Sequence, residues 1–157
     1  MKSIKRRIFL KGSLATGAVA MAASTGLLTP RVSLAAWSKA AFDATDVNGA
    51  VNELYGSSSM DKSDKVKIKA PDIAENGAVV PVSVTTSIDG VSSISLFADK
   101  NATPLTADFM LGPGTEGYVS TRIKMGKTAN VIAVVKAGDK LYSSTKEVKV
   151  TIGGCGG

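Results

Sequence analysis

The chain has 157 residues, with 19 Lys and Arg against 13 Asp and Glu, one cysteine and no histidine. Without histidine there is no Ser-His-Asp triad, no histidine-bearing zinc or copper site, and no C-x-x-C-H motif for covalent haem. A lone cysteine also excludes a dithiol redox pair and an intrachain disulfide, so the thiol is either free or paired with another molecule.

Residues 1–35 read as a cleaved export signal. Lys2, Lys5, Arg6, Arg7 and Lys11 form a basic start with no acid among them. Arg6-Arg7-Ile8-Phe9-Leu10-Lys11 matches the twin-arginine export pattern, with Arg6 and Arg7 as its recognition pair and Lys5 where serine or threonine is usual. The run from Gly12 to Leu28 is rich in alanine and glycine and broken by Ser13, Thr16 and Gly17. A spanning helix needs about 20 strongly apolar residues, so a membrane anchor is not expected. Ser33-Leu34-Ala35 fits the cleavage site, which starts the mature chain near Ala36. Export by this route carries folded proteins, and the expected location is the periplasm.

Removing the signal changes the charge argument. Six of the 19 basic residues (Lys2, Lys5, Arg6, Arg7, Lys11 and Arg31) and none of the 13 acids precede residue 36, which leaves 13 of each sign. The basic excess belongs to the signal, and nucleic acid is not an expected partner. About 122 residues remain, enough for one domain with its own core.

The first predicted element is a helix from Asp46 to Tyr55. Asp46 is the cap, Val47, Ala50, Val51 and Leu54 share a helical stripe, and Gly56 suits the terminating position. Gly56-Ser57-Ser58-Ser59 is a connection, and the carboxylates of Asp61 and Asp64 beyond it read as solvated loop charge. From Asp64 onward the period becomes two. Val66, Ile68 and Ala70 alternate with Lys65, Lys67 and Lys69, a strand with its lysines in water. Pro71-Asp72 and Glu75-Asn76-Gly77 mark a loop. Val80, Val82 and Val84 form the next strand, where Pro81, lacking an amide hydrogen, predicts an edge or a bulge.

Asp89-Gly90 turns the chain into a strand with Ile94, Leu96 and Ala98. A short strand follows from Leu105 to Leu111, then the breaker Gly112-Pro113-Gly114. Val119, Thr121, Ile123 and Met125 alternate with polar residues. The nearly unbroken apolar run from Val131 to Val135 predicts a central strand. Gly138-Asp139 is a hairpin signal, and Leu141, Val148, Val150 and Ile152 outline a long last strand. About seven strands with turn signals roughly every 8–12 residues predict an all-β, immunoglobulin-like antiparallel β-sandwich over residues 36–152, with a short N-terminal helix.

The sequence closes on Gly153, Gly154, Cys155, Gly156 and Gly157. Glycine loses the most entropy on ordering, so residues 153–157 are expected to form a flexible arm that holds the thiol roughly 10 Å beyond Ile152. An unperturbed thiol has a pKa of about 8.5. No base precedes Cys155 nearer than Lys149, and an adjacent carboxylate would only raise that value. Cys155 therefore lacks the partner base that a catalytic cysteine needs. It reads as a covalent handle activated inside other proteins' active sites, which makes the chain a carrier and not an enzyme. No metal or cofactor is expected.

Four stretches together resemble one family: the twin-arginine leader, Ala70-Pro71-Asp72-Ile73-Ala74-Glu75-Asn76-Gly77, Ser120-Thr121-Arg122-Ile123-Lys124-Met125-Gly126-Lys127, and Val150-Thr151-Ile152-Gly153-Gly154-Cys155-Gly156-Gly157. Over the mature length the chain resembles the SoxY family, the carrier subunits of the Sox thiosulfate-oxidation system. Lys5 and Asn48-Gly49 are departures that leave the arm untouched. The resemblance implies that Cys155 holds sulfur intermediates as an S-thiosulfonate and a persulfide. It implies a heterodimer with SoxZ, loading by the c-type cytochrome SoxAX, sulfate release by the manganese hydrolase SoxB, and further oxidation by the sulfane dehydrogenase SoxCD where present. Two rival readings stand beside it. Gly156-Gly157 is shared with ubiquitin-like sulfur carriers, which are cytosolic and much shorter. An exported assembly module could also cross-link through a disulfide at Cys155, although a cross-link gains nothing from four glycines.

Overall fold

The computed structural model describes residues 38–151. The export motif at Arg6 and Arg7, and the segment Gly153, Gly154, Cys155, Gly156 and Gly157, lie outside the described residues. Two helices come first, α1 (Lys39–Asp43) and α2 (Val47–Tyr55). Nine strands follow: β1 (Asp61–Lys62), β2 (Val66–Lys69), β3 (Ile73–Ala74), β4 (Val80–Thr86), β5 (Val91–Ala98), β6 (Leu105–Met110), β7 (Tyr118–Ile123), β8 (Ala129–Ala137) and β9 (Lys140–Val150).

Helix α2 starts and stops as its residues dictate. The Asp46 carboxylate accepts from the Gly49 N–H at 2.8 Å, and Gly56 closes the helix in the left-handed region at φ 74°, its N–H donating to the Asn52 carbonyl. Helix α1, capped by Ser38, was not anticipated, because five residues are too few to display a helical period.

The strands form two sheets. The larger runs β1-β9-β8-β5-β6, with β3 also on β9, and the smaller runs β2-β4-β7. Their facing sides bury Val66, Val80, Val82, Val84 and Ile123 from the smaller sheet against Ile94, Leu96, Val131, Ala133, Val135 and Val148 from the larger. This is the expected all-β sandwich. The outer face of the larger sheet is not left to water: Phe97, Leu105, Val134 and Leu141 pack under Ala41, Ala50 and Val51 of the helices. Strand β8 is therefore central and covered on both faces, which explains its continuous apolar run.

On that outer face the Tyr55 hydroxyl reaches Ser93 Oγ at 3.0 Å and hydrogen-bonds Ser95 Oγ, which in turn donates to Asp108 at 2.8 Å. Ser93 and Ser95 are fully buried, so these bonds satisfy hydroxyls that would otherwise be stranded. Burial pushes the Tyr55 phenol above its ordinary range, only partly offset by the bonds from Ser93 and Ser95.

Two expectations need refinement. Pro81 is not at a bulge, since β4 is the middle strand of its sheet and pairs with β7 in unbroken register from Val80 to Thr85, but it does sit at a local edge. It is tolerated because β2 stops at the Lys69–Ser83 pair, so around Pro81 the strand has a neighbour on one side only. The loop at residues 71–77 also contains β3, and Asp61 opens β1. Both are two-residue strands that lie parallel to β9, beside Lys149–Val150 and Tyr142–Ser143 respectively. They cap both ends of an edge that would otherwise offer free amides. Two residues carry no periodicity, so the sequence does not announce them. The lysines of β2 are exposed, as expected.

Candidate functional site at the root of the Cys155 segment

Strand direction sorts the connections into two ends. At one end lie the β5–β6 connection (residues 99–104), the β7–β8 connection (residues 124–128), the β3 segment and the exit from β9 toward Cys155. The β4–β5, β6–β7 and β8–β9 turns lie at the other.

The exit is held from both sides. Parallel pairing places Ala74 beside Val150, the Thr151 N–H donates to the Ala74 carbonyl at 3.1 Å, and the Lys149 N–H donates to the Asp72 carbonyl at 3.0 Å. On the other side the Val150 N–H donates to Thr128 Oγ1 at 3.0 Å. Lys146 adds a bond to the Ala70 carbonyl at 2.7 Å and an ion pair with Asp72 at 3.0 Å. The pair is solvated on the Asp72 side and contributes at most about 1 kcal/mol.

Gly77 packs under this strand end. A Cβ there would lie 2.3 Å from the Met125 carbonyl oxygen and 2.8 Å from Val150 Cγ1. The Met125 N–H donates to the Gly77 carbonyl at 2.7 Å, and the Met125 side chain is buried. Sequence alternation extends the β7 pattern to Met125, but β7 ends at Ile123, and Met125 is a loop residue that fills the end of the core. The strand root is thus fixed to rigid neighbours up to Thr151, four residues before Cys155. An extended chain advances about 3.3–3.6 Å per residue, so the Cys155 backbone can stand at most about 14 Å from Thr151.

The sequence reading missed the braces at this end. Asn101, which opens an Asn-Ala-Thr triplet, donates from Nδ2 to the Lys124 carbonyl at 2.7 Å and accepts from the Gly126 N–H at 3.1 Å. Its amide ties the β5–β6 and β7–β8 connections together. Next to it is a cleft of about 740 Å³ lined by Lys100, Asn101, Thr103, Thr106, Lys124 and Lys127, among other residues, with no acidic side chain among them. The signal was partly visible in the Lys124-Met125-Gly126-Lys127 run, but nothing in sequence brings Lys100 alongside it.

A two-sheet sandwich whose last strand is clamped at its root and continues into a glycine-flanked cysteine has the build of a carrier protein. Residues 51–155 match the family described as "Sulfur oxidation protein SoxY", and the match ends on Cys155. The chain belongs to the SoxY family. Its fold is similar to that of the sulfur carrier protein SoxY from Chlorobium limicola f thiosulfatophilum, at 48% sequence identity and a TM-score of 0.60, over 66% of this chain and 94% of that one. A search of curated proteins finds no match.

Proposed function

We propose that this sulfur-oxidation carrier holds its cargo covalently on Cys155, as an S-thiosulfonate and then a persulfide, and presents it to partner enzymes. The observation that carries this reading is that the family match extends through residue 155, past the last strand and onto the chain's single thiol. A family defined only by a scaffold would have no reason to include a cysteine outside its sandwich. The flanking glycines suit a segment that must enter several unrelated active sites, since they add no side chain and admit positive φ.

On the same reading the protein works in the periplasm after twin-arginine export, which Arg6 and Arg7 support, and residues 153–157 are the mobile arm beyond the sandwich. SoxZ is its dimer partner, and SoxAX, SoxB and SoxCD act on the cargo. On this reading Cys155 is activated inside the sites of those enzymes, and the chain acts as their substrate.

The test is the intact mass of the protein from cells oxidising thiosulfate, for the native chain and Cys155→Ser. The native chain is expected to carry sulfur-containing adducts that reductant removes, and the serine variant none, with an unchanged melting temperature. Adducts on the serine chain, or a native mass corresponding only to a disulfide dimer, would overturn the carrier reading.

A further inference from the structure

The two sheets differ in what covers their outer faces. The larger is roofed by the helices, with Phe97, Leu105, Val134 and Leu141 packed under Ala41, Ala50 and Val51. The outer face of the smaller lies open. Register sets its rows: Lys67, Thr85 and Tyr118, then Lys69, Ser83 and Ser120, then Pro81 and Arg122. All of these except the half-buried Ser83 are exposed.

This face has one sign. Lys67, Lys69 and Arg122 stand on strands about 4.8 Å apart, and the outward positions of β2, β4 and β7 include no acid. The acids nearest in sequence, Asp64, Asp72 and Glu116, lie outside the three strands. The ion pairs among the described residues, Lys39–Asp43 and Lys146–Asp72, are elsewhere. An antiparallel sheet can turn one polar face to water, but solubility is served by mixed signs. The mature chain has 13 charges of each sign to mix. Cations gathered without acids repel one another, and an opposing acidic surface relieves that repulsion.

The remaining groups fit a protein as the opposing surface. The Tyr118 phenol faces Ser120, Ser83 and Lys69, which hold its pKa below the ordinary tyrosine value, while half of the residue stays exposed. Tyrosine and arginine are enriched where proteins meet. Obligate interfaces are apolar at their centre, so a face with cations on it suits a partner that binds and leaves. The face also reaches the root of the cargo segment. Lys69 precedes Ala70, whose carbonyl accepts from Lys146 of β9 at 2.7 Å, and Arg122 is the second-last residue of β7.

We propose that Lys67, Lys69, Arg122 and Tyr118 form a docking surface for an acidic protein face, and that it receives the enzymes that charge the carrier. The inference rests on the carrier reading above. A carrier that visits enzymes in turn needs fast capture and fast release, and complementary charge supplies speed more than lasting affinity.

The experiment uses the full chain from Ala36 paired with SoxZ, and SoxAX as the probe. Cys155 thiolate and thiosulfate join through a new S–S bond, two electrons pass to ferricyanide, and intact mass follows the loading. The native chain is compared with Lys67→Gln/Lys69→Gln/Arg122→Gln. A control, Lys39→Gln/Lys62→Gln/Lys140→Gln, removes the same charge from exposed positions off this face. The docking variant should lose about tenfold in kcat/KM at low ionic strength, within the range that steering supplies, with kcat kept. High salt should bring it level with the native chain, and the control should track the native chain throughout. All three should melt together, since the changed side chains are exposed.

Equal kcat/KM for the native chain and the docking variant at low salt would sink the proposal. The carrier reading would survive it if tetrathionate still loads Cys155, the thiolate attacking the central S–S bond and thiosulfate leaving. An equal loss in the control would reduce the effect to net charge and overturn the docking surface. Protection of Lys67 and Lys69 from acetic anhydride by SoxZ alone would make the face a dimer contact and overturn it too. Co-sedimentation with phosphatidylglycerol vesicles that only the docking variant loses, with SoxAX loading unchanged, would assign the face to a lipid surface instead. A Cys155 that neither SoxAX nor tetrathionate loads would remove the carrier reading and this inference together.

Discussion

The two ends of this sandwich are built on different principles. At the end away from Cys155 the chain mainly has to reverse, and apart from Gly117, which packs closely against Thr86, it does so with local conformation. Gly90, Gly114 and Gly138 have φ of 69°, 77° and 59°, and a Cβ on any of them would meet nothing within 4 Å. Those glycines are needed for the sign of φ alone. At the Cys155 end the glycine that matters, Gly77, is needed for space, because the Met125 carbonyl and Val150 occupy the position of its missing side chain. Around it the connections are joined by side chains: Asn101 to Lys124 and Gly126, Thr128 to Val150, Lys146 to Asp72. An end that only turns the chain can be written in dipeptides. An end that must hold a strand root has to be assembled from distant parts of the sequence.

Gly77→Ala is the strongest way to break that contrast. The methyl group would collide with backbone, and overpacking of this kind costs about 3 kcal/mol, which for a domain of this size lowers Tm by 10 °C or more, at roughly 4 °C or more per kcal/mol. Calorimetry of the variant checks it, and an unchanged Tm would mean the root is not packed as described. Gly138→Ala at the other end meets only the left-handed φ penalty, roughly 1–2 kcal/mol. Gly138→Asn, which tolerates that conformation, should recover much of the loss, whereas Gly77→Asn should be worse than alanine. Equal behaviour of the two sites would remove the distinction.

Asn101→Ala should cost about 1 kcal/mol overall, but its signature is local. Hydrogen exchange at the Gly126 amide should speed up while Gly90 and Gly138 stay unchanged. If exchange rises at both ends alike, Asn101 is not a brace for the Cys155 end.

The smallest effect is a pH dependence under the helices. Burial raises the Tyr55 pKa in the folded state, so the unfolded chain loses that proton first. Its contribution is intact below the ordinary tyrosine value near 10 and is lost as pH climbs past it toward the folded value. Stability should decline in alkali more steeply for the native chain than for Tyr55→Phe. A denaturant midpoint series across that range checks the sign.

Much of the fold was legible from residue order. The alternation at Val80, Val82 and Val84, the run from Val131 to Val135, the cap at Asp46 with its stop at Gly56, and the turn at Gly138-Asp139 are all local signals. Each appears where the period or the backbone chemistry placed it, because side-chain alternation and φ preference act within a few residues. The Gly-Gly-Cys-Gly-Gly ending is equally local, and the proposal that it is a covalent handle starts from composition: one thiol and no histidine.

Only the tertiary structure decided the rest. Whether Pro81 lies on an edge depends on where β2 stops, which is a matter of register between strands. The short strands β1 and β3 exist because β9 has an edge to cover, and two residues show no period of their own. Lys100 and Lys127 are separated by a strand pair in sequence and meet only because β6 and β7 return the chain to the same end. The sequence alone determined which residues alternate, where the chain turns and that it holds a single thiol. Tertiary packing decided which connections share an end and what braces them, because those depend on strand order and no local preference encodes strand order.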